Sequence, residues 1–395
     1  MNPPAHPYQT GAPFNIRMRR FSKSIVIAER RPGADAQCWS LSLLRLRANG
    51  TAANSAINEA WLGRRRASPS SRQTASGAWR LLNEVLRARA EAGGLRDARR
   101  LAWRAARSPL TTLTWLSTLD QLRMIAGVKQ IPFDLARKPG RAFLHRTLSY
   151  STKVRVLTEH YTQLLAVLGR GYTGLVLRGE RLTLAEFSGR SGVAYQLLLA
   201  RNHDCRREGE LHVTLAQADS GRQLASLSFV VGSLSPGEPR SLWIGGLQGC
   251  QGEDSRALTV SVTRDIWGLR PKDLLVHAAY GLAELLEART VAAISNAGHV
   301  IPPACPGDIG RHADYDSFWR ELGSASTPGG FFVLPRVRPR RSEADVPSTK
   351  RKAWRARYEL IDRICANLRR LGDQGDRCAR SLDPLQPPWS RKSWG

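Results

Sequence analysis

Residues 208–233, EGELHVTLAQADSGRQLASLSFVVGS, decide the fold, together with SLWIGGLQG at 241–249 and GLRPKDLLVHAAYGLAELLEARTVAAISNAGHV at 268–300. In the first piece Leu211, Val213 and Leu215 alternate with polar or small residues. Asp219-Ser220-Gly221 supplies a turn, and Ala225, Leu227, Phe229 and Val231 alternate on the return, which predicts a β-hairpin. A turn at Ser235-Pro236-Gly237 leads into a further strand, SLWIGGLQG. Ser255–Ile266 reads as a short helix broken by Gly268, and Pro271 opens the next helix, where its missing N–H costs nothing. On that helix Leu274, Leu275, Ala278, Leu282, Leu285 and Leu286 form one apolar face, which puts His277 on the solvated side. The apolar strand TVAAI and the polar end SNAGHV follow. Two alternating strands, a third apolar strand, a long helix and another strand make an α/β or α+β domain with a mixed central sheet and flanking helices.

Outward toward the C-terminus, IPPACPGDIG reads as a loop, YDSFWRELG as a short helix stopped by Gly323, and GGFFVLP as a final strand. Residues 337–347 are a basic linker. Ser348 starts a last helix whose stripe of Trp354, Tyr358, Ile361, Cys365 and Leu368 has to dock on the rest. Toward the N-terminus, LTLAEFSG and VAYQLLLARN are strand candidates. Lys153–Leu168 carries a helical stripe of Val154, Leu157, Tyr161, Leu164, Leu165 and Leu168, with His160 beside it as a structural residue. A helix over Thr112–Ile125 and a helical stretch over 78–107, interrupted at Gly93-Gly94, come before it. Residues 1–75 are rich in Pro, Ser, Ala and Arg and read as poorly ordered, with a short strand at Ser24–Ala28. The expected organisation is a basic extension over 1–110, an α/β core over 111–336, a linker and docking helix over 337–370, and a tail over 371–395.

The chain of 395 residues carries a net charge of +27, unevenly spread. Residues 151–330 hold 18 basic and 18 acidic side chains, so the whole excess sits in the flanks. Such flanks suit nucleic acid or an anionic membrane surface, although the skew to arginine (only 8 of 60 cations are Lys) also fits a GC-rich coding bias. No apolar run approaches the ~20 residues of a membrane span, and the first 31 residues lack the apolar stretch and cleavage site of a secretory signal. A cytoplasmic location, peripheral at the inner membrane, is the resulting expectation. The six cysteines are scattered and none forms C-x-x-C, which argues for free thiols and against a zinc knuckle.

No Walker loop, H-E-x-x-H, G-x-S-x-G or dinucleotide fingerprint is present. Candidates are therefore positional. Open α/β sheets take ligands at the carboxyl ends of strands, which points to Gly245-Gly246-Leu247-Gln248-Gly249 and to Ser295-Asn296-Ala297-Gly298-His299. In the first, glycines permit a bulge or the close approach of a ligand, with Gly246 and Gln248 facing it. In the second, Asn296 offers a neutral amide and His299 a titratable ring. His312, Asp314, Tyr315 and Asp316 could converge with His299 for acid–base work. The irregular spacing of His299, His312 and Asp314 argues against a metal.

The segments HRTLSYSTKVRVLTEHY, REGELHVTL, LSFVV, IGGLQG, GLRPKDLL, VAAISNAGHV, HADYDSFWRELG, GFFVLP and VPSTKRKAWRARYELID run in the order in which they occur in the VirK/YbjX family, which this chain resembles over about residues 110–370. The resemblance implies a virulence-associated bacterial protein linked to envelope integrity and tolerance of cationic antimicrobial peptides; it supplies no reaction. PPACPGDIG, between His299 and His312, departs from that pattern. The order hairpin, Gly-containing strand, long helix, strand, short helix with Tyr and final strand is also similar to the core of the GNAT acyltransferases. That second likeness implies an acyl- or aminoacyltransferase acting on an envelope precursor, a peptide or a lipid. The Gly268–Lys272 loop would take the donor's phosphates, with Gly268, Arg270 and Lys272 around them. His299, Asn296 and Tyr315 would handle protons or orient the acceptor. The superfamily's [RQ]-x-x-G-x-[GA] loop is not reproduced, and Pro271 removes one N–H donor. An acyl-CoA and an aminoacyl donor of another kind therefore fit equally well. The competing expectation is a non-enzymatic binding protein that uses its basic flanks.

Overall fold

The computed structural model describes residues 71–202, 206–301, 314–338 and 340–381. The short strand expected at Ser24–Ala28, the PPACPGDIG loop and His312 fall outside the described residues.

Three helices lead in: α1 (Ser71–Glu91), α2 (Leu95–Arg107) and α3 (Pro109–Ile125). Gly93, at φ +74, breaks the first from the second, as its lack of a Cβ allows. Pro109 comes just after the end of α2 and stands at the first position of α3, where its missing N–H costs nothing. A single turn, α4 (Phe133–Ala136), precedes α5 (Tyr150–Arg178). The Ser149 side chain accepts from the Thr152 N–H to cap α5, and Gly179 ends it in the left-handed conformation. α5 outlasts its predicted stripe by ten residues because the helix resumes beyond a kink at Gly169.

The sheet has eight strands in the order β1-β2-β3-β4-β5-β6-β8-β7. β1 (Leu182–Ser188), β2 (Ala194–Arg201), β3 (Leu211–Gln217), β4 (Gln223–Gly232) and β5 (Ser241–Gly249) form an antiparallel meander. β5 then pairs in parallel with β6 (Thr290–Ile294). A parallel neighbour needs a long crossover, supplied by α6 (Ser255–Asp265) and α7 (Pro271–Leu285). α8 (Tyr315–Glu321), β7 (Ala325–Ser326) and β8 (Phe331–Val333) complete that edge, β8 running antiparallel to β6.

α5 packs on β4, α7 on β3 through β6, and α9 (Ser348–Ser381) on α5, α7 and β1. Leu360, Ile361, Ile364 and Leu368 of α9 are buried in the common core with Leu274, Leu275 and Leu282 of α7. The predicted stripe of the last helix is thus the docking surface. His160 is buried on α5, where its Nδ1 accepts the Val231 N–H at 3.2 Å. His277 corrects the expectation of a solvated face. It is half-buried, and burial with Arg338 and Arg340 nearby holds its pKa at about 3. The helix amphipathicity placed it correctly against the sheet, but α9 and the linker cover the outer side of α7 as well. Cys250 and Cys365 are free thiols.

Candidate functional site

The strand β5 is where the sheet ceases to be regular. Its pairing with β4 shifts between Ser228 and Phe229, so that Gly245 is an extra residue, a β-bulge. Its pairing with β6 stops at Ile244–Ala293, although β5 runs on to Gly249. The two parallel strands therefore part at the Gly-rich segment, where the sequence placed a site.

The wedge between them is filled from within the chain. A Cβ on Gly245 would lie 1.8 Å from the Glu208 carbonyl oxygen, and one on Gly246 would lie 1.9 Å from Glu208 Oε2. Only glycine at both positions lets Glu208 enter. Its carboxylate, buried with 2 % of the side chain exposed, collects two predicted site residues. Gln248 Nε2 donates to Oε2 at 3.3 Å, and His299 Nε2 faces Oε1 at 3.4 Å. At its other nitrogen His299 meets the Ile301 N–H at 3.1 Å. The same nitrogen lies 3.0 Å from the Ile301 carbonyl, so Ile301 can pair with either tautomer of the ring.

Tyr315 lies against the His299 ring with centroids 5.2 Å apart. Its hydroxyl oxygen accepts the Leu247 N–H at 3.2 Å, a backbone donor freed by the parting of the strands. Asn296 is tied into the start of α8. Its side-chain amide donates to Asp314 at 2.7 Å, its Oδ1 accepts the Tyr315 N–H at 3.0 Å, and its own N–H donates to Asp316 at 2.6 Å. The turn at 297–298 is clamped by the HRTLSY segment: the Arg146 N–H donates to the Gly298 carbonyl at 3.0 Å and its guanidinium to that of Ala297 at 2.9 Å. Gly246, Gln248, His299 and Tyr315 are thus brought together around Glu208, while Asn296 buttresses them from one side.

Arg270 and Gly268 do not join this group. Arg270 is exposed and held by both oxygens of Glu321, at 2.7 and 3.1 Å. Gly268, at φ +74, lies against Arg357 of α9, whose guanidinium donates to the Trp267 carbonyl at 2.8 and 3.1 Å. Lys272 differs. Its Cε would be 3.4 Å from a Cβ on Gly249, at the very end of β5. It is half-buried, has no salt bridge among the described residues, and burial alone lowers its pKa. A cation with no carboxylate beside it, at a helix N-terminus, suits an incoming anion.

Beside Gln248 opens a polar cleft of about 600 Å³, lined by Asn202, His212, Ser226, Ser228, Gln248 and Gln251 among others. The register pairs His212 with Ser228, and Ser226 with Gln248, so these side chains share one face of the sheet. Asn202 donates to the Ser228 hydroxyl at 2.9 Å. Gln248 thus stands between an open polar cleft and the buried Glu208–His299 pair.

Glu208 was missed as a site residue from sequence, as was its neighbour Glu210. Glu210 is wholly buried, paired with Lys138 and accepting from the Tyr161 hydroxyl. Lys138 Nζ also donates to the Gly209 carbonyl at 2.9 Å. The available signal was E-G-E directly ahead of an apolar strand: two carboxylates there must either be solvated or find partners. Among the described residues no three His, Cys, Asp or Glu side chains come together to hold a metal, and no helix is long and apolar enough to cross a membrane.

The fold and site define a mixed α/β protein with a parted strand pair and a polar cleft beside it. Residues 93–370 match the family described as Protein of unknown function (DUF535), and the chain belongs to that family. It is 30% identical over 258 residues to the Uncharacterized protein YbjX of Escherichia coli (strain K12), covering 65% of this chain and 77% of that one. It is 25% identical over 236 residues to an Uncharacterized protein of Haemophilus influenzae (strain ATCC 51907 / DSM 11121 / KW20 / Rd), covering 58% and 74%. No solved structure matches the chain.

Proposed function

We propose that this chain is an acyl- or aminoacyltransferase with a GNAT-like core, its donor held where β5 ends beside α7. The observation that carries the reading is the half-buried Lys272, without a salt bridge among the described residues, beside Gly249 at the end of β5, which has bulged at Gly245 and parted from β6 after Ile244. A bulged strand separating from a parallel partner ahead of a helix N-terminus is a place where backbone N–H groups and a helix dipole can meet a phosphate-bearing donor. Lys272 would face those phosphates. Arg270 and Gly268 fit the role less well, since Glu321 and Arg357 already engage them.

In this reading the acceptor, a hydroxyl or amine, enters through the Gln248 cleft. Displacing Gln248 uncovers Glu208, whose carboxylate takes the acceptor's proton as the acceptor attacks the donor's acyl carbon. The bond from that carbon to the donor breaks, and the donor leaves as its free thiol or hydroxyl, carrying a proton away. Tyr315 and Asn296 then serve as positioning residues, the first against the His299 ring and the second through α8. An envelope precursor as acceptor rests on the VirK/YbjX likeness alone. The test is a mass-spectrometric screen of purified full-length chain with acyl-CoA and aminoacyl-tRNA donors. Transfer to a nucleophile that Glu208→Gln abolishes supports the reading. No transfer from any donor, or transfer indifferent to Glu208→Gln in a folded variant, removes it.

A further inference from the structure

The outer face of α2 has no part in the cleft or the Glu208 cluster. α2 buries Ala98, Leu101 and Ala105. At about 100° per residue the opposite arc carries Arg96, Arg99, Arg100, Trp103 and Arg107, with Trp103 near its centre and Leu95 at its margin. Trp103 is 66% exposed and Leu95 61%, and Leu110, just past the helix, is 80% exposed. An indole and two leucines standing in water are a cost the chain would shed unless something receives them.

The charges on this face are equally uncommitted. Asp97 is the one acidic residue of α2, and it is turned away toward Arg89 at 3.3 Å and Arg137. Arg100 reaches it only at 4.0 Å, with 81% of its side chain exposed. Arg96, Arg99 and Arg107 have no salt bridge among the described residues. The face is therefore strongly positive, ringed around a tryptophan, and edged with aliphatic side chains.

We propose that this face of α2 docks on the surface of a bilayer containing anionic phospholipid. The arginines would pair with headgroup phosphates, while Trp103 and Leu95 enter the boundary between headgroups and acyl chains. Arginine alone would serve a nucleic acid as well. The exposed leucines decide between them, because aliphatic surface is withdrawn from water in a lipid interface and gains nothing along a phosphodiester backbone. Tryptophan is the side chain best suited to that interface, with an apolar body and one N–H for the polar layer. The helix lies on the surface and does not span it: thirteen residues are too few.

Co-sedimentation of the full chain with phosphatidylcholine vesicles, with and without one third phosphatidylglycerol by mole (about a third is enough to charge the surface), tests this. The expected result is binding to the anionic vesicles only, weakening as salt rises. The triple variant Arg96→Glu, Arg99→Glu, Arg100→Glu should lose at least roughly 100-fold in partition, about five-fold for each arginine removed. Trp103→Ala should lose several-fold at unchanged charge. All four positions are exposed, so the thermal unfolding of the variants should match the parent and confirm folding. Vesicle binding by the variants equal to the parent, no binding by the parent, or tight binding to RNA or DNA in place of vesicles would each overturn the proposal. None of these outcomes bears on donor binding at Lys272, so the two readings stand or fall apart.

Discussion

Gly245 and Gly246 are adjacent, yet a Cβ on each meets Glu208 in a different way, and substitution separates the two. At Gly246 a methyl group collides with the Glu208 carboxylate, which can swing out at the cost of its contacts with Gln248 and His299. At Gly245 it collides with the Glu208 carbonyl, which is backbone and cannot. Either Gly→Ala change should destabilise by about 1–3 kcal/mol, the Gly245 variant more. Adding Glu208→Ala should largely relieve Gly246→Ala and leave Gly245→Ala unrelieved, a non-additivity that urea unfolding of the double variants would read. His160 supports a second prediction. Burial holds its pKa at about 3 in the folded chain, against the ordinary histidine value near 6.5. Below pH ~6.5 the unfolded chain takes a proton that the folded chain refuses, so its contribution is full above that pH. It is lost as pH falls toward 3, at up to about 1.4 kcal/mol per pH unit. His160→Asn should flatten the dependence of unfolding free energy on pH in that window by about one proton. An identical slope in the variant would show that His160 is protonated in the native state. The structural role of His160 was readable from its place beside an apolar stripe, whereas the role of Glu208 was not. Nothing in a single sequence says that a carboxylate before a strand will bend back over two glycines thirty-seven residues later.

At the scale of elements, α9 behaves as the lid of the core rather than as an appendage. Leu368 is fully buried, and Arg357 secures the α6–α7 connection through the Trp267 carbonyl. Leu368→Ala should therefore cost about 2–5 kcal/mol of global stability. If α9 were loosely attached, the loss would instead show only as faster proteolysis of the helix, with the unfolding midpoint unchanged. The strands and helices of the core were legible because alternation and helical stripes mark them: β3, β4 and α7 fall where the pattern placed them. β6 is shorter than its apolar-to-polar run, because Ser295 turns away to bond the Gly330 carbonyl at 2.7 Å. The partners on the far side of α7 were illegible for a plain reason. An amphipathic pattern names the face toward the sheet, and it cannot announce that α9 will cover the other side and bury His277.

At the scale of the molecule, the two proposals fall on separate regions, one neutral and one basic. The charge-balanced segment from 151 to 330 contains every strand of the sheet but β8, with the cleft and the Glu208 cluster, while the arginine-rich surface of α2 lies in the basic flank. A transferase anchored by α2 to an anionic surface would meet a membrane-borne acceptor without a spanning segment, and this joins the two proposals without making either depend on the other. At the strand ends to which the positional rule points, Gln248 and His299 meet Glu208, and Tyr315 meets the Leu247 N–H. Arg270, offered from the likeness to the GNAT core, is engaged by Glu321, a partner fifty-one residues away that no local pattern reveals. The most direct test of the donor site is calorimetric titration of the full chain with acyl-CoA and with an aminoacyl-tRNA analogue, beside Lys272→Ala and Arg270→Ala. The account predicts that one donor class binds, that Lys272→Ala weakens it about ten-fold or more as a charged contact to phosphate is lost, and that Arg270→Ala changes it little. Binding by neither class, or equal binding by the parent and Lys272→Ala, would contradict it.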